Sequence, residues 1–395
     1  MTTQTFSLID VNATTDKLVD AISADNLSLS GARNWSINKR TLHGGCSEGV
    51  DVVEVDNGAL TLALLPTRGM GIWKGEYAGQ RLGWDSPVKQ PVHPTFVNLA
   101  DRNGLGWLNG FNELLCRCGL SSNGAPGEDS DGHPLENPLP LHGRIANLPA
   151  QHVSATIDDT NNGTLSITGI VTEAGLFTPQ LQLKSTLRTM AGSNKFTIED
   201  EVTNLSSQPA DFQLLYHTNL GSPFLEAGSQ CIMPVREFAP RNARAAEGVE
   251  NWHTFNSPEA GYAEQVYFFD LASDDNQQST VLLKNAAGDL GISMEINQQQ
   301  LPYFILWKNT QDERDGYCVG MEPATNFPNH RSFERQQGRV IRLNADESYC
   351  TSFSLAVHTS IAEVQSVEQH ISELQKNCPP ILHTEPTDNW SPADV

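Results

Sequence analysis

The sequence predicts an all-β protein, a large antiparallel β-sandwich with a few short helices, on three observations. Short runs of β-branched, aromatic and aliphatic residues recur along the chain, bounded by Gly, Pro, Asn and Asp clusters. Helical periodicity is confined to one good segment near the end. The 395 residues show neither a composition shift nor a short-period repeat. One sandwich domain over 1–395 is therefore expected, with a core at about 45–358, an N-terminal extension, and a C-terminal helix plus tail.

The elements follow in order. A short helix is expected over 16–23. Val52–Val55 and Leu60–Leu65 read as strands joined by the turn Asp56-Asn57-Gly58. Alternation over 163–172 follows the turn 158–162, and strands are expected at 181–189, 195–202 and 212–217. Further strands fall at 266–271, 279–284, 291–296, 303–307 and 352–358. Ile361, Val364, Val367, Ile371 and Leu374 form one helical stripe over 360–374, and the Pro-rich tail from Cys378 reads as extended. A Gly/Pro/Asp-rich loop spans 122–140, a length that in a compact domain is functional or mobile.

Composition narrows the function. A net charge of −22, from 47 acidic and 25 basic residues, argues against nucleic acid and anionic membranes as partners. No apolar run reaches the length of a membrane span, and the first 20 residues lack the pattern of a secretory signal. Seven cysteines without metal-type pairing fit reduced thiols, so a cytoplasmic location is expected. Cys116 and Cys118 would share one strand face. Asp129-Ser-Asp131-Gly132-His133 lacks the later glutamate of a calcium loop, and phosphate-loop and zinc spacings are missing, so neither metal nor cofactor is expected.

Four segments place polar groups at strand ends, where a rigid scaffold presents binding residues. They are Leu65-Pro-Thr-Arg68-Gly-Met-Gly-Ile72, Pro138-Leu-Pro-Leu-His142-Gly-Arg144-Ile-Ala-Asn147, Leu214-Leu-Tyr-His217-Thr-Asn219-Leu-Gly221 and Gly320-Met-Glu322-Pro-Ala-Thr-Asn-Phe-Pro328. A histidine and a glutamate arriving on separate strands could face each other across a pocket, an arrangement suited to moving one proton on and another off a substrate. The bland readings stand beside this: His217 as a structural residue, Glu322 accepting backbone hydrogen bonds in its turn, and Arg68 pairing with a carboxylate such as Asp85.

In this order the four segments resemble the galactose mutarotase, or aldose 1-epimerase, superfamily. Leu141-His142-Gly143 resembles its Leu-His-Gly element, Tyr216-His217-Thr218-Asn219-Leu220 its Asn-His-Ser-Tyr-Phe-Asn-Leu element, and Gly320-Met321-Glu322-Pro323 its Cys-Leu-Glu-Thr-Gln element. The runs Gly104–Glu113, Arg117-Cys-Gly119 and His142–Asn147 are similar to the bacterial DUF4432 branch of that superfamily, over about residues 45 to 358. The chain departs from the epimerase pattern in having His217-Thr-Asn for His-Ser-Tyr and Glu322-Pro-Ala-Thr for Glu-Thr-Gln.

The resemblance implies a mutarotase-like supersandwich and a cofactor-free enzyme acting on a small-molecule sugar, phosphorylated or not. It implies His217 as an imidazolium general acid toward the ring oxygen and Glu322 as general base at the anomeric hydroxyl. Arg68 and His142 would hold sugar oxygens, and Trp307, Trp107 or Trp73 would stack on the sugar face. Arg144 and Asn219 join the expected substrate contacts, while the loop Trp107–Gly127, more elaborate than a simple epimerase needs, offers Asn109, Asn112, Glu113, Arg117 and Asn123 to read a different sugar or support a different reaction. Arg68, Arg117 and Arg144 form a candidate phosphate clamp. A binding protein without catalysis, or another sugar isomerase, lyase or hydrolase on the same site, remains the alternative.

Overall fold

Burial along individual strands shows where the site must lie. Lys195–Asn204 alternates half-exposed and buried residues, the pattern of a strand with one face on the core and one toward water. Leu115–Leu120 and Cys318–Ala324 are buried at every position, and Ala210–Leu220 at every position but Asp211. Such strands have a second covered face. The computed structural model, which describes residues 3–25, 27, 34–159 and 163–392, shows what covers it.

Two large sheets make up the sandwich. Nine strands run in the order Thr3–Asp10, His152–Asp158, Thr164–Glu173, Leu181–Met190, Lys195–Asn204, Ser348–His358, Gly291–Asn297, Gln278–Lys284 and Gln230–Ile232. The second sheet has 14 strands, and its middle runs Gly71–Tyr77, Leu115–Leu120, Ala210–Leu220, Cys318–Ala324, Tyr303–Asn309, Gln265–Leu271 and Val235–Pro240. Neighbours along that stretch are antiparallel. The main core fills the space between the sheets, with Leu214, Tyr216 and Leu220 from one facing Leu187, Phe196, Phe353 and Leu355 from the other.

Because side chains alternate, Leu215 and His217 point away from that core. On their side lies a second apolar cluster that includes Trp84, Trp107, Phe111, Cys116, Cys118, Ile305, Phe268 and Phe327. It is roofed by the segments at 105–111 and 122–142. The long loop is held down at several points. The side-chain amides of Asn123 and Asn326 exchange two hydrogen bonds of 3.0 Å, and Arg331 donates to Asp129 at 2.6 Å and to the Ser121 carbonyl at 2.9 Å. Asp129 also accepts from Arg335, so this carboxylate belongs to an arginine network.

The expected strands are present, most of them one to four residues longer than read. The helix at 16–23 is not. Its residues form a single turn at Thr15–Lys17 and a strand Ala21–Ser23, because Ile22 buries itself opposite Ile37 in the sheet and eight residues are too few to nucleate a helix alone. The late helix spans Ile361–Gln375, capped by Ser360. Val364 and Ile371 pack on Leu282, while Ile361 at the start of the stripe lies exposed. In the tail, Ile381–Leu382 adds a parallel strand to Val235–Pro240, and Trp390 is buried against Phe327. No helix among the described residues is long and apolar enough to cross a membrane.

Candidate functional site

Register creates the central pair. Leu215 lies opposite Ala324 and Thr218 opposite Met321, which places His217 directly across from Glu322. The same line continues across the sheet through Cys116, opposite His217, and through Ile305, Phe268 and Ala239 beyond Glu322. His217 and Glu322 are thus an imidazole and a carboxyl group in a row otherwise made of apolar and thiol side chains. His217 Nε2 stands 3.2 Å from Glu322 Oε1, and the two residues are 5% and 2% exposed.

A neighbouring glycine makes this approach possible. A Cβ on Gly320 would come within 2.4 Å of Glu322 Oε1, 3.0 Å of Trp307 Cβ and 3.1 Å of His217 Cε1. Gly320 precedes Glu322 by two residues and shares its face. Only a residue without a side chain leaves room there for the carboxylate and the ring together.

Burial sets the protonation of the pair. Loss of water, aided by the neighbouring His142, pushes His217 well below the usual histidine value, with the Asn219 amide beside it pulling the other way. Burial, aided by Glu264, pushes Glu322 well above the usual carboxylate value, against the pull of Arg241. Both shifts favour the uncharged forms, a neutral imidazole beside a carboxylic acid, over the charged pair. Both run against the charged forms that the resemblance implies for the acting pair. The geometry corrects the expected opposition across a pocket: the two groups sit side by side in one wall, and a substrate must lie across both.

They open into a cavity of about 320 Å³. Its walls include Leu105, Trp107, Phe111, Pro126, Leu141, His142, Arg241, Glu264, Val266, Ile305 and Trp307. His142 takes a left-handed backbone conformation, φ +57°, and its Nδ1 donates to the Asn123 carbonyl at 2.8 Å. That bond leaves Nε2 as the ring's acceptor, and burial holds the imidazole neutral, its pKa lowered to about 4. The ring centres of His142 and His217 are 5.7 Å apart, with Trp107 4.7 Å from the former. The Trp107 indole N–H is buried without a partner. Trp307 donates its indole N–H to Glu264 at 2.6 Å and presents its ring 5.4 Å from His217.

Of the sequence-selected residues, the structure gathers His217, Glu322, His142, Trp307 and Trp107 around this cavity. It places the others elsewhere. Arg68 is buried, donating to Glu113 at 2.6 Å, to Asn147 at 2.9 Å and to the Val92 carbonyl at 3.0 Å, so Arg68 and Glu113 answer each other rather than a ligand. Arg117 reaches the opposite way, into the space between the sheets. There it forks onto Asp200 at 2.5 and 3.0 Å and donates to Ser185 and to the Met70 and Gly69 carbonyls. Arg144 is exposed beside Glu173 in a different depression. The three arginines do not converge, which removes the phosphate clamp.

Asn109 lies at the surface accepting from Arg102, while Asn112 donates to the Val88 carbonyl. Asn123 is paired with Asn326, and Asn219 donates to the backbone of Glu113 and His217. Trp73 packs in a separate cluster with Val50 and Leu65. Arg241, Glu264 and Gly320 were not singled out from the sequence. Arg241 directly follows the strand Val235–Pro240, which the sequence reading did not pick out, and Glu264 directly precedes Gln265–Leu271, with the Arg241 backbone N–H donating to the Val266 carbonyl at 2.9 Å.

Residues 47–357 match the family described as a domain of unknown function, DUF4432. No curated protein sequence matches the chain. A solved structure from Klebsiella pneumoniae, described as a "putative aldose 1-epimerase", is similar over 98% of this chain and 99% of its own, at 35% identity and a TM-score of 0.92. A galactose mutarotase-like protein from Clostridium acetobutylicum is similar over 82% and 98%, with 16% identity and a TM-score of 0.56. Galactose 1-epimerase from Lactobacillus acidophilus is similar over 82% and 99%, with 13% identity and a TM-score of 0.53. The last two share the fold.

Proposed function

The chain belongs to the DUF4432 family, in a mutarotase-like fold, and from that premise we propose that it is an aldose 1-epimerase-like enzyme interconverting sugar anomers with His217 and Glu322. The observation that carries the reading is the contact of 3.2 Å between these two buried groups in the wall of a cavity large enough for a monosaccharide.

The protonation of the pair fits the cycle. Moving the Glu322 proton to His217 Nε2 gives imidazolium and carboxylate without changing the number of protons held. In that form His217 protonates the ring oxygen as Glu322 takes the proton of the anomeric hydroxyl, and the C1–O5 bond breaks. The open-chain aldehyde then lies beside a neutral imidazole and a carboxylic acid, the form that burial favours. Rotation about C1–C2 and closure on the other face return both protons. Each positioned group contributes typically ~10²- to 10⁴-fold. The neutral Nε2 of His142 and the free N–H of Trp107 suit sugar hydroxyls of opposite hydrogen-bonding sense. A cytoplasmic location is part of the proposal, supported by seven cysteines that are all free thiols.

The test is anomer exchange, followed by proton NMR over a monosaccharide panel, with binding measured in parallel by calorimetry. The wild type should accelerate exchange of at least one sugar, while Glu322→Gln and His217→Asn bind it without exchange. Saturable binding with no acceleration by the wild type would make this a binding protein. Full activity in Glu322→Gln would remove the mechanism.

A further inference from the structure

We propose that the sugar taken by this cavity carries a carboxylate, as a hexuronate does, and that Arg241 is the residue that holds it. The inference deepens the mutarotase reading and rests on it.

Arg241 is the cationic side chain of the cavity wall. Among the described residues its guanidinium has no ion pair or hydrogen bond, and its Nε is buried without a partner. The arginines whose side chains are most withdrawn from solvent behave differently. Arg68, Arg117, Arg331 and Arg339 each meet a carboxylate at 2.5–2.6 Å. The two carboxylates nearest to hand in the cavity are otherwise engaged: Glu264 accepts from Trp307, and Glu322 lies against His217. Burial opposes the charge of Arg241, and Glu264 supports it through space. A guanidinium keeps its proton even so, and this half-buried one has no charged partner to offset its partial loss of water. A ligand that brings a planar anion to that fork supplies the missing partner, in the geometry guanidinium binds best.

The same inventory selects carboxylate over phosphate. One guanidinium can neutralise a single negative charge, whereas a phosphate dianion would leave a second one beside Glu264, with no other Arg or Lys in the wall among the described residues. In a pyranuronate the carboxylate hangs from the ring carbon on the far side of the ring oxygen from the anomeric carbon. One ring can then lay its anomeric centre on His217 and Glu322 and turn its carboxylate toward Arg241.

The experiment compares D-glucuronate, D-galacturonate and D-mannuronate with the matching hexoses and with D-glucose 6-phosphate, measuring Kd by calorimetry and anomer exchange by NMR. The wild type should prefer one hexuronate over its hexose by about 100-fold, the scale expected for a desolvated charge pair. In Arg241→Gln that ratio should collapse toward one, and in Arg241→Lys it should fall part of the way, since the fork is lost and the charge kept. Equal or better handling of neutral hexoses by the wild type overturns the carboxylate while leaving the mutarotase reading intact, as does a preference for the phosphate. Failure to bind or exchange any sugar overturns both. A preference for hexuronate that survives Arg241→Gln removes Arg241 from it.

Discussion

Replacing Gly320 with alanine should abolish most activity while leaving the fold in place. The added Cβ would sit 2.4 Å from Glu322 Oε1, about 1 Å inside an ordinary contact, and 3.1 Å from His217 Cε1. The Glu322 carboxylate is the free end of a flexible side chain, so it yields before the backbone does. Moving it by about 1 Å breaks up the 3.2 Å contact between His217 and Glu322. Misplacement on that scale costs about 10²-fold in rate. Stability should change by only about 1 kcal/mol, because alanine is tolerated in an extended strand at least as well as glycine. The assay is anomer exchange of the best sugar, alongside a thermal melt. Wild-type kcat/KM in Gly320→Ala, with the melt unchanged, would refute the claim that close approach of the carboxylate and imidazole matters. An unfolded variant would refute the claim that the carboxylate yields first.

Two further outcomes follow from buried charge. Arg117→Met should destabilise the fold by about 3–5 kcal/mol by leaving Asp200 unpaired between the sheets, with part of the loss recovered in Arg117→Met/Asp200→Asn. Chemical denaturation measures both, and a stable Arg117→Met that cannot bind sugar would return Arg117 to the site. Glu322→Gln should be more stable than the wild type, increasingly so as pH rises. The unfolded glutamate loses its proton near its ordinary value of 4.5, whereas the folded one holds it to higher pH, so wild-type stability falls through that window and the glutamine variant is spared. A difference in Tm that is flat from pH 4.5 to 8 would contradict the raised pKa.

The fold was largely legible because its strands write their period into the chain. Lys195–Asn204 alternates residue by residue, and the hairpin at Asp56-Asn57-Gly58 announces itself. Segment 16–23 misled because a short apolar stretch with charged neighbours fits a helix until a partner strand is known. Within the site, His217, Glu322 and His142 could be chosen by motif, since each stands in a distinctive local string. The direction of a side chain could not. Arg117 and His217 both sit in strands of the same sheet, yet one faces the other sheet and the other faces the cavity, a matter of register parity that spacing alone leaves open. Arg68 was misread for a related reason, because its answering carboxylate is Glu113, 45 residues away, not the nearby Asp85. Gly320 carries no functional group at all, so only coordinates reveal what its bareness permits.

The fork of Arg117 onto Asp200 gains a further meaning from its surroundings. Tyr216, next in sequence to His217 and turned the other way, donates its hydroxyl to that same Asp200 at 2.8 Å, and Thr351 meets the hydroxyl from a third strand. A rivet through both layers thus clamps the strand immediately behind the imidazole. Were Ala210–Leu220 to slide by the two residues that preserve its faces, His217 would leave Glu322 and Tyr216 would leave Asp200 in the same movement. The loops over the cavity can change length or composition without touching that clamp, so what the protein recognises is free to vary while the alignment of its reacting pair is not.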